Sequence, residues 1–223
     1  EARRAFAGHV LGSADGRTLY TTEMDLDSGT GLIGVRDVAT LQKRAEWPTH
    51  GIDPHQLMWD RSSTETGKLI VANGGVPTQP ETGRVKRKLE RMDSSVVRLD
   101  ARTGDLNGQW RLDDRRLSLR HLAWGEASGQ PVLGIALQAE HDDPNVKANA
   151  PVLALFDGRS LRSIPLPQAM SGYGGDIAAL DGRFAVSCPR ASSVALFDAT
   201  GVCLGHLPLP EAGALTSVAE RLW

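Results

Sequence analysis

The clearest repeat unit in the chain begins with His50-Gly51-Ile52-Asp53-Pro54-His55-Gln56-Leu57 and continues, after one short strand, with Val71-Ala72-Asn73-Gly74-Gly75. Glycine, aspartate and proline mark turns, and short apolar runs between them are typical of buried strands. This stretch therefore predicts a histidine-rich turn, two neighbouring strands and a loop that opens on glycines. Comparable strand pairs begin at His9, His121 and Asp176, and a fifth unit begins at Leu215.

Each complete unit continues with a third strand that ends in aspartate, then a short polar turn and a fourth strand. The third strands are Gly34-Val35-Arg36-Asp37, Ser95-Val96-Val97-Arg98-Leu99-Asp100, Val152-Leu153-Ala154-Leu155-Phe156-Asp157 and Ser193-Val194-Ala195-Leu196-Phe197-Asp198. Four short antiparallel strands per repeat are typical of β-propeller blades, and a β-sandwich with coincidental turn spacing is the alternative. We predict an all-β fold, a single β-propeller domain over residues 1–223, with four to five four-stranded blades.

The bulk composition narrows the class of protein. With 223 residues and 40% hydrophobic content, the chain can bury a sizeable core. A net charge of −2 gives no reason to expect a nucleic-acid or anionic-membrane partner. No apolar run approaches the roughly 20 residues that a membrane-spanning helix needs. The chain begins at Glu1 rather than at methionine, and we expect that an upstream segment has been removed or left out.

The two cysteines, Cys188 and Cys203, are 15 residues apart. This spacing fits neither a zinc site of paired cysteines nor a disulfide-dense scaffold. The residues alone favour two buried, inert thiols over one disulfide.

The candidate site lies at one mouth of the predicted channel. In a propeller blade the innermost strand comes first, and it starts on the face at which the second strand ends. Side chains at these two positions should therefore gather at one mouth. The residues that open first strands are His9, His55, His121 and Asp176; those that follow second strands are Glu23, Asn73, Gln138 and Arg190; Arg120 adjoins His121.

Converging imidazole and carboxylate groups are ligands that divalent transition metals take in proteins. We predict a site for iron, zinc or copper with four ligands, namely His9, Glu23, His55 and His121. We predict contacts to a bound ligand from Asn73, Arg120, Gln138, Asp176 and Arg190. Two alternatives stay open: a polar or anionic ligand that the imidazoles bind as donors, or a structural role in which each histidine bonds the backbone of a neighbouring blade.

Two loops overhang the same predicted mouth. The longer one, residues 75–93, carries a basic run, for which a solvated face is favoured over anion binding. The second loop, Glu140-His141-Asp142-Asp143-Pro144-Asn145, is acidic.

Nucleophilic catalysis has little support, because Cys188 reads as a core residue and no Gly-x-Ser-x-Gly motif is present. Gly172-Tyr173-Gly174-Gly175 reads as a tight turn between blades.

Seven short motifs occur as a set along the chain. They are Gly8-His9, Leu19-Tyr20-Thr21-Thr22-Glu23, Gly34-Val35-Arg36-Asp37, His50-Gly51-x-x-Pro54-His55-x-Leu57, Ala72-Asn73-Gly74-Gly75, Pro80-x-Thr82-Gly83-Arg84 and Leu119-Arg120-His121-Leu122-Ala123. As a set, these motifs resemble the DUF1513 family. The resemblance implies an exported bacterial protein of unknown function, with a seven-bladed propeller of which this chain is the later portion or an internally started product. It also implies a twin-arginine signal outside this chain, a periplasmic location and the company of iron-uptake components. A periplasmic location would in turn favour a disulfide between Cys188 and Cys203.

The leading functional prediction is a binding or accessory module. Its mouth would bind a metal ion or a metal-bearing ligand, or dock a partner from an iron-uptake system. The alternatives are a metal-dependent hydrolase, lyase or oxidoreductase with Glu23 or Asp176 as the base, and a protein-interaction scaffold.

Overall fold

A computed structural model describes residues 3–77, 88–219 and 221–223. The fold is all-β, as predicted, and each of the four complete repeat units forms one antiparallel sheet in which four consecutive strands lie side by side. The chain divides into two compact units, Glu1–Asp60 with Glu65–Arg111, and Arg61–Thr64 with Leu112–Trp223. The basic run of residues 75–93 is described only at its ends, so Arg84, Lys86 and Arg87 lie outside the described residues.

The first unit contains two sheets. The strands of the first are β1 Arg4–Gly12, β2 Thr18–Asp25, β3 Thr30–Asp37 and β4 Lys43–Ile52; those of the second are β5 Pro54–Trp59, β6 Lys68–Asn73, β7 Ser95–Asp100 and β8 Leu106–Trp110. Their shared core includes the cross-strand pairs Leu69 with Leu99 and Val71 with Val97, all fully buried. The Tyr20 ring lies 5.7 Å from that of Trp59, and its hydroxyl donates to the Ala101 carbonyl at 2.9 Å.

The second unit contains two further four-stranded sheets and one short hairpin. The strands are β9 Leu117–Ala127, β10 Gln130–Ala139, β11 Leu153–Phe156 and β12 Leu161–Ile164; β13 Ile177–Leu180, β14 Arg183–Cys188, β15 Ser193–Asp198 and β16 Cys203–Pro208; and β17 Ser217–Val218 with β18 Arg221–Leu222. Phe184 is fully buried in the core of this unit. Gly125 and Gly134 make room for its ring, because a Cβ at either position would lie 2.7 Å from it.

The aspartate at the end of each third strand, or directly after it in β11, closes the turn that follows. In all four sheets its carboxylate accepts hydrogen bonds from backbone N–H groups two to four residues later. Such Asx turns satisfy the turn amides locally. In β7 the donors are Arg102 and Thr103, and these bonds, with that from Lys68, lower the pKa of Asp100 to about 2. The repeated aspartate is therefore a structural signature of the blade.

One short helix interrupts the acidic loop that follows β10. This helix, α1, spans Pro144–Asn149, and the Asp143 carboxylate caps it by accepting from the N–H groups of Asn145 and Val146. The prediction of a loop over Glu140 to Asn145 was wrong for Pro144 and Asn145, which begin the helix. Proline at the first helical position and a preceding aspartate form a local helix-start signal.

Both cysteines are free thiols. Cys188 pairs with Ser193 at one end of β15, whereas Cys203 pairs with Phe197 near the other end. Burial raises the pKa of the Cys188 thiol to about 12, so it is unreactive. The prediction of two buried thiols is confirmed for Cys188, whereas Cys203 is a free thiol that is only partly buried. The disulfide that the family resemblance favoured is wrong for this structure.

Candidate metal site

The three predicted histidine ligands all lie where the pairing of a first strand with a second strand shifts register. The residues inside these shifts are 7–9 in β1, 55–56 in β5 and 120–121 in β9. A β-bulge of this kind bends the strand and redirects its side chains, and bulges are frequent beside functional sites. In β1 the bulge is eased by Gly8, whose φ of +106° suits glycine alone. The same local irregularity thus presents His9, His55 and His121.

A buried threonine hydroxyl holds the first two histidines together. Thr22 lies on β2 opposite the bulge of β1 and is fully buried. Its Oγ1 accepts from the His9 N–H at 3.3 Å and donates towards the His55 carbonyl at 3.1 Å. The His9 and His55 ring centroids are 5.0 Å apart, with the ring planes inclined at 56°. The hydroxyl therefore fixes the backbone of both histidines.

The same hydroxyl bridge recurs in the last four-stranded sheet, where aspartate replaces histidine. Ser187 on β14 accepts from the Asp176 N–H at 2.8 Å and donates to the Gly213 carbonyl at 2.6 Å. Asp176 thus occupies the position that His9 occupies in the first sheet, as the repeat alignment predicted. Thr22 and Ser187 were not among the predicted site residues, although each stands on the second strand of its own unit.

His121 faces the carboxylate of Asp176. The distance from His121 Nδ1 to Asp176 Oδ1 is 3.3 Å, and both side chains are mostly buried. Burial lowers the pKa of His121, and the positive charge of Arg120 lowers it further, which together outweigh the opposing effect of Asp176. The imidazole is therefore neutral near pH 7, which is the form that binds a metal ion.

The three histidines form a group that could hold a metal ion. Each offers one ring nitrogen, and the three nitrogens lie within 4.8 Å of one another. All three residues are half-buried. Three imidazole ligands are a donor set that suits zinc, copper or iron.

Glu23, the fourth predicted ligand, is not part of this group. Its side chain is only 1% exposed, and both carboxylate oxygens are bound within the first sheet. Oε1 accepts from Arg36 and from the Thr21 hydroxyl, each at 2.7 Å, and Oε2 accepts from Lys43 at 2.6 Å. A Cβ at Gly34 would overlap this carboxylate, so the glycine makes room for it. Glu23 is therefore a structural ion-pair residue, and its assignment as a metal ligand was wrong.

Asn73 is likewise structural. It is fully buried, and its Nδ2 donates to the Thr49 carbonyl at 2.9 Å and to Ser95 Oγ at 3.2 Å. Gly51 leaves the space that the amide occupies, because a Cβ there would meet it. Asn73 thus ties β4, β6 and β7 together, and the prediction that it contacts a ligand at an open mouth was wrong.

The remaining predicted ligand contacts fall at several places in the second unit. Gln138 donates from Nε2 to the Gly174 carbonyl at 3.3 Å. Arg190 is exposed, and its guanidinium lies 4.0 Å from the centroid of the Tyr173 ring, a cation–π contact. Arg120 lies inside the same bulge as His121. A role for these three in ligand binding stays a prediction.

Comparison with known proteins gives a family and a fold. A family model described as "Protein of unknown function (DUF1513)" matches residues 1–222. Two solved structures are similar, each with a TM-score of 0.64: hydrazine synthase of Kuenenia stuttgartiensis, at 14% identity over 93% of this chain, and a streptogramin B lyase, at 13% identity over 98%. Both are propeller folds, so the four-stranded sheets of this chain are of the β-propeller type.

The chain spans less than two thirds of these structures, covering 64% of the hydrazine synthase chain and 62% of the lyase chain. No curated protein matches the chain in sequence. Among the helices of the described residues, none has the length and apolar character needed to cross a bilayer.

Proposed function

The chain belongs to the DUF1513 family of proteins of unknown function, and we propose that it is a metal-binding β-propeller module in which His9, His55 and His121 bind a divalent transition-metal ion. One observation carries the proposal: His9, His55 and His121 form a group that could hold a metal ion, with ring nitrogens within 4.8 Å of one another. A register shift at the equivalent place of each first strand supports it, since each histidine lies inside such a shift.

Three histidine ligands would not complete the coordination of a transition-metal ion. In a tetrahedral site the metal–nitrogen bonds are about 2.0–2.1 Å long. Three protein ligands leave a fourth position of a tetrahedral ion open to water or to a donor atom of another molecule.

The geometry favours a binding role over an enzyme. The enzyme reading required Glu23 or Asp176 as a base. Glu23 is held by Arg36 and Lys43, and the Asp176 carboxylate accepts from the backbone of Ile177 and Leu215. These hydrogen bonds occupy the carboxylate oxygens that a catalytic base would turn towards its substrate. The open coordination position is therefore better suited to capturing a metal-bearing ligand.

The cellular location, the partners and the number of blades are proposed from the family resemblance alone. We propose a periplasmic location, partners among iron-uptake components, and a seven-bladed ring to which the four-stranded sheets of this chain contribute blades. Isolation of the protein from the periplasmic fraction of its host, with the partners that co-purify, tests these proposals together.

The test of the metal site is metal content measured by mass spectrometry on protein purified without an affinity tag or chelator. We expect close to one equivalent of iron, zinc or copper in the parent protein, and less than a tenth of that in His55→Ala/His121→Ala, because one imidazole cannot retain the ion. His206→Ala is the matched control, since His206 is exposed on the outermost strand β16. Circular dichroism checks that each variant folds. A parent protein that takes up none of these metals on titration overturns the proposal.

The Thr22 hydroxyl gives a second prediction. Thr22→Val keeps the shape of the side chain but removes the bonds to His9 and His55. We expect a loss of about 1–2 kcal/mol in the free energy of unfolding and a fall in metal affinity of roughly tenfold. Thr18→Val on the same strand is the control, with neither effect expected. Urea denaturation measures the stability and metal titration the affinity. Unchanged metal affinity in Thr22→Val would mean that the Thr22 hydroxyl does not position the histidine ligands.

A further inference from the structure

We infer that Asp176 is a positioning residue that holds His121 in its Nδ1–H tautomer and so makes Nε2 the metal-binding atom. The inference rests on the proposed metal function, which it deepens. Its basis is the approach of His121 Nδ1 to Asp176 Oδ1, at 3.3 Å within the second unit.

The carboxylate is held rigidly, so it can orient the ring. Asp176 Oδ1 also accepts from the Ile177 N–H at 2.8 Å, and Oδ2 accepts from the Leu215 N–H at 2.8 Å. The backbone of Asp176 is fixed in turn by Ser187 Oγ, which accepts from its N–H at 2.8 Å. Bonds from three neighbours thus determine where the carboxylate points.

Acceptor chemistry then decides the tautomer. An ionised carboxylate can only accept, so a ring nitrogen that faces it must carry the proton. A neutral imidazole has one N–H, so Nε2 of His121 is then the unprotonated nitrogen, which is the form of a ring nitrogen that binds a metal ion. Histidine ligands of metals almost always donate their other N–H to a carboxylate, carbonyl or water, and loss of that partner typically costs 10- to 100-fold in metal affinity.

A second carboxylate–histidine pair in the same unit provides an internal control. His141 faces Asp114 through the other ring nitrogen, with Nε2 at 3.0 Å from Asp114 Oδ2. His141 is not part of the metal-binding group. The same reasoning assigns His141 the Nε2–H tautomer, opposite to that of His121.

The experiment is a long-range ¹H–¹⁵N correlation spectrum of metal-free protein with ¹⁵N-labelled histidine. We expect His121 as the Nδ1–H tautomer and His141 as the Nε2–H tautomer. Asp176→Asn should change the His121 signals and lower zinc affinity between about 10-fold and 100-fold. Asp114→Asn should change only the His141 signals and leave zinc affinity as in the parent. Asp176→Glu, which keeps a carboxylate, should retain more affinity than Asp176→Asn.

The outcomes separate this inference from the metal proposal. An Nε2–H tautomer of His121 in the parent protein overturns the inference, and this measurement needs neither metal nor any variant that could fail to fold. Unchanged His121 signals and zinc affinity in folded Asp176→Asn overturn it as well. A parent with the expected tautomer that binds no zinc, iron or copper overturns the metal function while leaving the Asp176–His121 pairing in place.

Discussion

We expect Phe184→Ala to lower the free energy of unfolding by about 4 kcal/mol, within the range for truncating a buried aromatic side chain. Phe184 is fully buried, and its ring fills the space that two glycines, Gly125 and Gly134, leave on the neighbouring sheet. Removal of the ring leaves a cavity that the surrounding strands cannot close, because both sides of it are hydrogen-bonded sheet. Urea denaturation followed by far-ultraviolet circular dichroism gives the change.

Phe6→Ala is the matched control, because the Phe6 side chain is 68% exposed on β1. The Arg36 guanidinium lies 4.9 Å from the ring centroid, and such a contact at an exposed site is weak, so we expect a loss below about 1 kcal/mol. Similar losses in the two variants would mean that Phe184 does not fill the space between the sheets.

The architecture was predictable because each repeat carries its own turn chemistry. Strands β7 and β15 have the bounds that the sequence predicted, since an aspartate ends each one and caps the next turn. The six-residue helix α1 was missed because it is too short to show a helical period. The number of blades in the complete ring stays a prediction.

The site was only partly predictable, for a reason that lies in strand geometry. The alignment of repeats picked out His9, His55 and His121, the histidines of a group that could hold a metal ion, because equivalent strands present equivalent residues. It placed Glu23 there wrongly. Successive side chains of a strand point to opposite faces, and on β2 it is Thr22 that contacts the histidine backbone. Glu23, one residue later, points to the other face.

The second large loss of stability is expected from a substitution of Glu23. We expect Glu23→Gln to lower the free energy of unfolding at pH 7 by about 3 kcal/mol, because the variant removes the charge that pairs with Arg36 and Lys43 and puts an amide N–H₂ group beside them. The two cations are 19% and 26% exposed. They can therefore regain some hydration, which keeps the loss below that of a fully buried pair.

The loss of stability in Glu23→Gln should become smaller as the pH falls. Burial alone would raise the pKa of Glu23, but the donors Lys43, Arg36 and Thr21 together outweigh it, so the pKa lies below its ordinary value of 4.5. A carboxyl group with a lowered folded-state pKa contributes its full stabilisation above pH 4.5, and that contribution disappears as the pH falls through the folded-state value. The difference between parent and Glu23→Gln should therefore be constant from pH 7 to 5 and shrink on further acidification. Urea denaturation at pH 7, 5 and 3 measures it.

Glu46→Gln is the control for burial. Glu46 also binds Lys43, and it binds Arg4, but its own side chain is 26% exposed, against 1% for Glu23. We expect a smaller loss than in Glu23→Gln, because water can hydrate the Glu46 position. Glu23→Gln should also keep the metal content of the parent, because the histidine group does not include Glu23. The opposite outcome would be a folded Glu23→Gln protein that has the stability of the parent but lacks metal. It would mean that Glu23 is a metal ligand and that its ion pairs contribute little to stability.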